Sequence, residues 1–311
     1  MTTSSMSFYT YLTGQITIYT GFTILIFGVI GSLLNLIVFL SLQTFRKSSC
    51  AFYLIFMSLA NLLHLLMWLP GHIIIYGFEN DWSATSAFLC KSRFYFFQLW
   101  ILISFTSICL AMIDQFLSTS SNPLLNRCCN IKLARNVIIG SIIVWFFHGI
   151  PFALYMDIIP LSFNSNLFIC VNTNTIFSIY FSFGFILLLM GILPLTVMII
   201  FGLLTYYNVK TLAYRTVPLV RRELDKQLTQ MVLVQVIFNS IILSPYIMVF
   251  IAQFDLPSND FTQFLFLSSV NLHTFYFASP FYIYMCVSKR FRQQFKYVFY
   301  KIHFNRWRQL T

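Results

Sequence analysis

FLCKSRFYFFQLWILISFTSICLAMIDQFL, residues 88–117, decides how this chain is read. Between Arg93 and Asp114 stand twenty residues without a charge, most of them large and apolar. A helix needs about 20 such residues to cross the hydrocarbon of a bilayer. One end of the run carries Cys90, Lys91 and Arg93. The other ends on a lone acid, Asp114, followed by the neutral Gln115 and by Phe116. The whole chain of 311 residues shares this character, being 59% hydrophobic and 9% charged. A soluble domain carries roughly 25% charged residues, so the natural solvent of this chain is the membrane.

Comparable runs lie at 17–42, 51–76, 88–117, 134–158, 176–206, 227–253 and 261–286. Period-two alternation, the mark of a membrane β-barrel, is absent. Helices satisfy their own backbone polar groups in lipid, so the expected fold is an all-α membrane protein, a seven-transmembrane helix bundle. The first residues, MTTSSMSFYTYLTGQ, are uncharged and lack the basic start of a signal peptide. The first span is therefore expected to act as its own insertion signal. The expected organisation is an extracellular N-terminus over 1–16, the bundle over 17–286 and a C-terminal segment over 287–311.

The net charge of +11 is unevenly placed. Arg46 and Lys47 follow the first run, and Arg127, Lys132 and Arg135 separate the third and fourth. Lys210, Arg215, Arg221, Arg222 and Lys226 separate the fifth and sixth. Lys289, Arg290, Arg292, Lys296, Lys301, Arg306 and Arg308 follow the last. In a seven-span chain all of these share one side. The other side has Lys91 and Arg93 against Glu79, Asp81, Asp157, Asp255 and Asp260. Basic loops stay in the cytosol, which puts the N-terminus outside, and an even span count would break the pattern. The basic side suits anionic lipid of the inner leaflet. Nucleic-acid binding is not expected, because there is no basic soluble domain.

The cysteines fit this topology. Cys50, Cys109, Cys128, Cys129 and Cys286 fall in membrane or cytosolic positions, whereas Cys90 and Cys170 face outside. Thiols oxidise outside the cell and stay reduced in the cytosol, so a Cys90–Cys170 bridge is expected to tie the loop before the fifth run across the mouth of the bundle. In the tail, Phe291, Phe295, Phe299 and Ile302 recur at helical spacing among Lys289, Arg290, Arg292, Lys296 and Lys301. That pattern reads as an amphipathic eighth helix on the inner leaflet.

Seven runs, this orientation and this cysteine pair resemble a rhodopsin-like (class A) G-protein-coupled receptor, over about residues 17–300. GSLLN (31–35) resembles the first-span motif through Asn35, and SLAN (58–61) the second, with Asn61 where the family has aspartate. Trp82 and Trp145 fit its loop and fourth-span tryptophans. Pro194, Pro245 and Pro280 fit its prolines. DQF (114–116) lies where the family has D/E-R-Y. A single proline means little, since proline is common in membrane helices; the order and spacing of all the landmarks carry the resemblance.

The resemblance implies a plasma-membrane receptor that binds an extracellular peptide or small molecule and signals to a heterotrimeric G protein, without a cofactor. It assigns Asp114, Gln115, Phe116, Asp225, Pro245, Pro280 and Tyr284 to the switch, and Asn35, Asn61, Ser104 and Ser279 to a polar core. The ligand is expected at Arg93, Phe97, Gln98, Ile101, Tyr246, Phe250 and His273. Several positions depart from the family. Gln115 replaces the switch arginine, so the resting lock is expected to be a hydrogen bond from its amide to an acid such as Asp225, not an ion pair. Leu243 replaces the toggle tryptophan and Gly202 a tyrosine. SPFYIY (279–284) replaces NPxxY with Ser279 for asparagine and Tyr284 one residue late, an extra residue that a π-bulge accommodates. Asn61 removes the carboxylate that holds sodium. Phe97, where amine receptors place aspartate, argues against a monoamine ligand. The outer loops are acidic and mildly favour a basic peptide. His64, His148 and His273 read as bundle residues, not metal ligands. These departures leave as one alternative a receptor-like protein that binds ligand with weak or no G-protein coupling; a transporter or channel is the other, but no charge sits in mid-span. No phosphate loop, metal cluster or nucleophile motif suggests an enzyme.

Overall fold

The computed structural model describes residues 8–41, 43–46, 48–160, 168–212, 219–254, 256–257 and 259–300, without the side chains of 43–44, 211–212, 219–226 and 290. It is a helical membrane protein. Besides short helical turns at Gln43–Arg46, Trp82–Thr85 and Pro123–Arg127, the first helices are α1 (Phe8–Ser41), α2 (Ser49–Met67), α3 (Leu69–Gly77), α4 (Ala87–Thr119), α5 (Ile131–His148), α6 (Ile150–Tyr155) and α7 (Thr175–Ile179). A π-helical stretch over Tyr180–Ile192 leads into α8 (Leu193–Leu212). Then come α9 (Leu219–Ala252), α10 (Asp260–Ala278), α11 (Pro280–Val287) and α12 (Lys289–Tyr297).

Among the described residues, six helical segments are long and apolar enough to cross a membrane: Phe8–Ser41, Ser49–Gly77, Ala87–Thr119, Ile131–Tyr155, Thr175–Lys210 and Gln227–Ala252. The seventh expected run, 261–286, is also helical and packs as α10 and α11 against α1 and α9. It is less apolar than the others because Ser269, Asn271, His273 and Thr274 are buried on it. A polar residue in such a helix belongs on its protein-facing side. The first helix begins at Phe8 and takes in half of the expected N-terminal segment. The fold is not purely helical. Residues after Tyr155 leave the helix for strand β1 (Met156–Pro160), which pairs antiparallel with β2 (Phe168–Asn172), Ile158 opposite Cys170.

The centre of the bundle is α4, which packs against α2, α5, α6, α8 and α9. One apolar core lies toward Cys90 and includes Leu65, Leu69, Ile101, Phe105, Phe185, Leu243 and Phe277. A second lies toward Asp114 and includes Phe39, Leu54, Met57, Met112, Met231, Tyr284 and Phe291. Close approach matters most along α1. A Cβ added at Gly21 would meet Ile73 at 2.6 Å, and one at Gly28 would meet Leu65 at 2.6 Å and Ala278 at 2.9 Å. Small residues let membrane helices approach this closely.

Two serine–proline pairs repeat one device. Proline has no N–H for the carbonyl four residues back. At Pro245 that carbonyl is Ile241, and the Ser244 hydroxyl donates to it at 3.2 Å. At Pro280 it is Tyr276, and the Ser279 hydroxyl donates to it at 3.3 Å. Side-chain hydroxyls thus restore what lipid cannot supply. The expected π-bulge before Tyr284 is not found, since α11 is regular α-helix from Pro280 onward. At the junction Ser279 keeps helical dihedrals, donating its N–H to Phe275 and accepting from Ile283, both at 3.0 Å, so α10 leads into α11 with only the bond that Pro280 cannot make missing. The π-helical geometry occurs at Tyr180–Ile192, just ahead of Pro194.

The C-terminal amphipathic helix is present as α12. Phe291 is fully buried against Phe39, Tyr284 and Phe281, and Phe295 packs on Phe281 and Phe299. Ile302, the last member of the expected stripe, lies outside the described residues, as do 301–311.

Candidate functional site

Three consecutive residues at the end of α4 reach three different helices, because each step along a helix turns the side chain by about 100°. Asp114 faces α2, where the Ser49 hydroxyl donates to both carboxylate oxygens at 2.7 and 2.8 Å. Gln115 faces α9 and accepts the Thr229 hydroxyl at 2.5 Å on its side-chain oxygen. Phe116 faces α8, its ring 5.5 Å from that of Phe201. All of Ser49, Asp114, Gln115 and Thr229 are buried.

Among the described residues the contact of Gln115 is uncharged, its amide oxygen accepting from the Thr229 hydroxyl. Asp225 lies four residues earlier on α9, and its side chain is outside the described residues. A second neutral contact ties α9 to α11 and α2. The Tyr284 hydroxyl donates to Gln235 Oε1, and Gln235 Nε2 lies 3.2 Å from Met57 Sδ. Thr229 and Gln235 were not anticipated from the sequence. Their signal was available, because polar side chains within the apolar run 227–253 are expected to turn toward the protein.

The expected polar core is only partly assembled. Ser104 donates to Asn61 Oδ1 at 2.5 Å and lies 3.2 Å from the Tyr276 hydroxyl. Asn35 Oδ1, Ser58 Oγ and the side-chain amide of Asn239 are buried and have no hydrogen-bond partner among the described residues. Ser279 does not join this group; its hydroxyl is committed to the carbonyl freed by Pro280.

At the other end of α4 the Cys90–Cys170 disulfide is formed, with a Cα–Cα distance of 5.6 Å. It fastens the β1–β2 hairpin to the top of the helix. Asp81 supports the joint, accepting from the Ser83 backbone and hydroxyl at 3.1 and 2.5 Å and from the Cys170 backbone at 3.4 Å.

The expected ligand residues divide into groups. Tyr246, Phe250 and His273 come together: Tyr246 stacks on His273 at 5.1 Å and lies 6.3 Å from Phe250. His273 Nε2 is buried without a partner among the described residues. Phe97 packs beside Trp68, His64 and Phe185 at 5.4, 5.7 and 5.9 Å. Ile101 is fully buried core. Two members point elsewhere. Arg93 donates to Ser83 Oγ at 3.3 Å and lies over the Phe94 ring. Gln98, about 100° round the helix from Phe97, donates to the Trp145 carbonyl at 3.2 Å and meets His148 at 2.8 Å. The second ring nitrogen of His148 contacts the Tyr180 hydroxyl. Gln98 therefore belongs to a strut joining α4, α5 and the π-helical stretch. Among the described residues no group of three His, Cys, Asp or Glu is placed to hold a metal.

No family model matches the chain, and no curated protein matches it.

Proposed function

We propose that the chain is a seven-span receptor of the rhodopsin-like, G-protein-coupled kind, set in the plasma membrane with its N-terminus outside. The observation that carries this reading is the pair of neutral contacts at the Asp114 end. Gln115–Thr229 and Tyr284–Gln235 bind α9 to α4 and α11. An outward swing of α9 breaks both at once, opening a face where a heterotrimeric G protein docks. At the Cys90 end a peptide or small molecule would engage Tyr246, Phe250 and His273. Two of these stand on α9 itself, on either side of the turn after Pro245, so ligand contact and α9 position are mechanically linked. Ligand then shifts a two-state equilibrium by its preference for the open state.

The two latch contacts seen among the described residues are uncharged, and this has a consequence. A neutral hydrogen bond contributes about 0.5–1.5 kcal/mol net, against about 1.5–3 kcal/mol for one to a charged group. The closed state is thus held weakly, and basal signalling is expected. The test is nucleotide exchange on purified G proteins of each class, with the chain reconstituted in lipid discs. Thr229→Ala should raise basal exchange about two- to tenfold, the range that one neutral hydrogen bond spans. The reading fails if neither the native chain nor the variant accelerates exchange on any G protein while the same preparation passes ions across liposomes.

A further inference from the structure

The surface that α1, α9, α10 and α11 turn toward lipid carries a groove of about 480 Å³. Its floor is Ala278 and Ser279, small residues at the junction between α10 and α11. Phe27 and Tyr282 form one wall, tied by a 2.9 Å hydrogen bond from the Tyr282 hydroxyl to the Phe27 carbonyl. Phe238 and Val234 form the other. Along α10 and α11 it runs from Phe275 to Val287, twelve residues or about 18 Å. One leaflet of hydrocarbon is about 15 Å deep, half of the full core of about 30 Å. The groove therefore spans one leaflet, from the headgroup level to the midplane.

Charge identifies which lipid suits it. At the Val287 end the chain turns directly into α12 with Lys289, Arg292 and Lys296. The Arg292 guanidinium is anchored there, donating to the carbonyls of Met285 and Cys286 at 2.7 and 2.9 Å. Cys286 itself lines the groove. Neither α1, α11 nor α12 contains an acid. An arginine has five donors, so after these two bonds the guanidinium still has N–H groups to offer. We propose that the groove holds one acyl chain of an anionic glycerophospholipid, with the phosphate headgroup at Lys289 and Arg292.

This rests on the seven-span arrangement proposed above and is independent of its direction across the membrane and of G-protein coupling. The full-length chain would be placed in discs whose two leaflets contain the same mixture of phosphatidylcholine and phosphatidylserine. A photoactivatable group near the end of one acyl chain reports position. Labelled phosphatidylserine should mark peptides within 275–287 more heavily than labelled phosphatidylcholine. Lys289→Gln and Arg292→Gln should each lower that preference about fivefold, the effect of one basic residue at an anionic surface. Val234→Trp, at a position already 37% exposed, should reduce labelling by both lipids by filling the groove. Thermal unfolding of each variant checks that the bundle is intact. Even labelling of all lipid-facing helices overturns the proposal. So does equal labelling by the two lipids, or capture of a sterol or a second copy in the groove. Because both leaflets are alike, a reversed chain would still label, so the two readings fail separately.

Discussion

Asp114 and its neighbour explain why an acid persists beside a neutral residue at the end of so apolar a helix. Among the described residues both carboxylate oxygens accept from one hydroxyl, Ser49, at the start of α2. Asp114→Asn keeps an oxygen acceptor and should lower stability only slightly. Asp114→Ala leaves the Ser49 hydroxyl buried and unsatisfied, a loss of about 1–3 kcal/mol. Thermal unfolding in detergent reads both. The Asp114→Ala, Ser49→Ala double variant should cost clearly less than the two single losses combined, since the second removal strands nothing. Strict additivity would show that the pair is not coupled. Gln115 was legible as a departure, but Thr229 as its partner was not, because 114 residues separate them.

At the scale of elements, the serine–proline pairs and the glycines of α1 make distinct predictions. Ser244→Ala should destabilise by about 0.6 kcal/mol, the average for polar side-chain contacts in membrane helices, with about 1.7 kcal/mol as the upper end. In a Pro245→Ala background the backbone N–H returns to Ile241, and Ser244→Ala should then cost almost nothing. A double-mutant cycle on the unfolding midpoint measures this, and a cost that survives in the Pro245→Ala background would rule the device out. Gly28→Ala forces a methyl against Leu65 and Ala278. Its expected loss is about 1–3 kcal/mol, as for overpacked cores, whereas Gly202→Ala meets nothing nearer than 3.8 Å and should leave the melting temperature unchanged. The prolines and glycines were visible in the sequence. What each of them touches follows only from how neighbouring helices are rotated.

For the whole molecule, the disulfide and the proposed orientation can be tested on the unmodified chain. Cys128 and Cys286 are exposed, while Cys90 and Cys170 are paired. In intact cells a membrane-impermeant maleimide should label nothing until a reductant opens the bridge at the outer surface. Permeabilised cells should label Cys128 and Cys286 without reductant. The reverse pattern would invert the topology. Cys90→Ser with Cys170→Ser removes a link across 80 residues and should cost about 2–4 kcal/mol of stability. The lost tie frees the β1–β2 hairpin from the end of the bundle.

Composition and hydropathy by themselves determined that the chain is a helical membrane protein, where its long helices lie, how its charge is divided and which two cysteines meet. The helices are local properties: an apolar run becomes a helix in lipid whatever its neighbours do, because its backbone has no other donors or acceptors; the cysteine pair follows from which side of the membrane each thiol faces. Tertiary structure alone decided that Gln115 meets Thr229, that Gln98 turns away from Phe97 toward His148, and that Ser279 serves a carbonyl instead of the polar core. Each depends on the rotation and depth of one helix against another. Close packing at sites such as Gly21 and Gly28 sets those quantities, and no periodicity within a single helix records them.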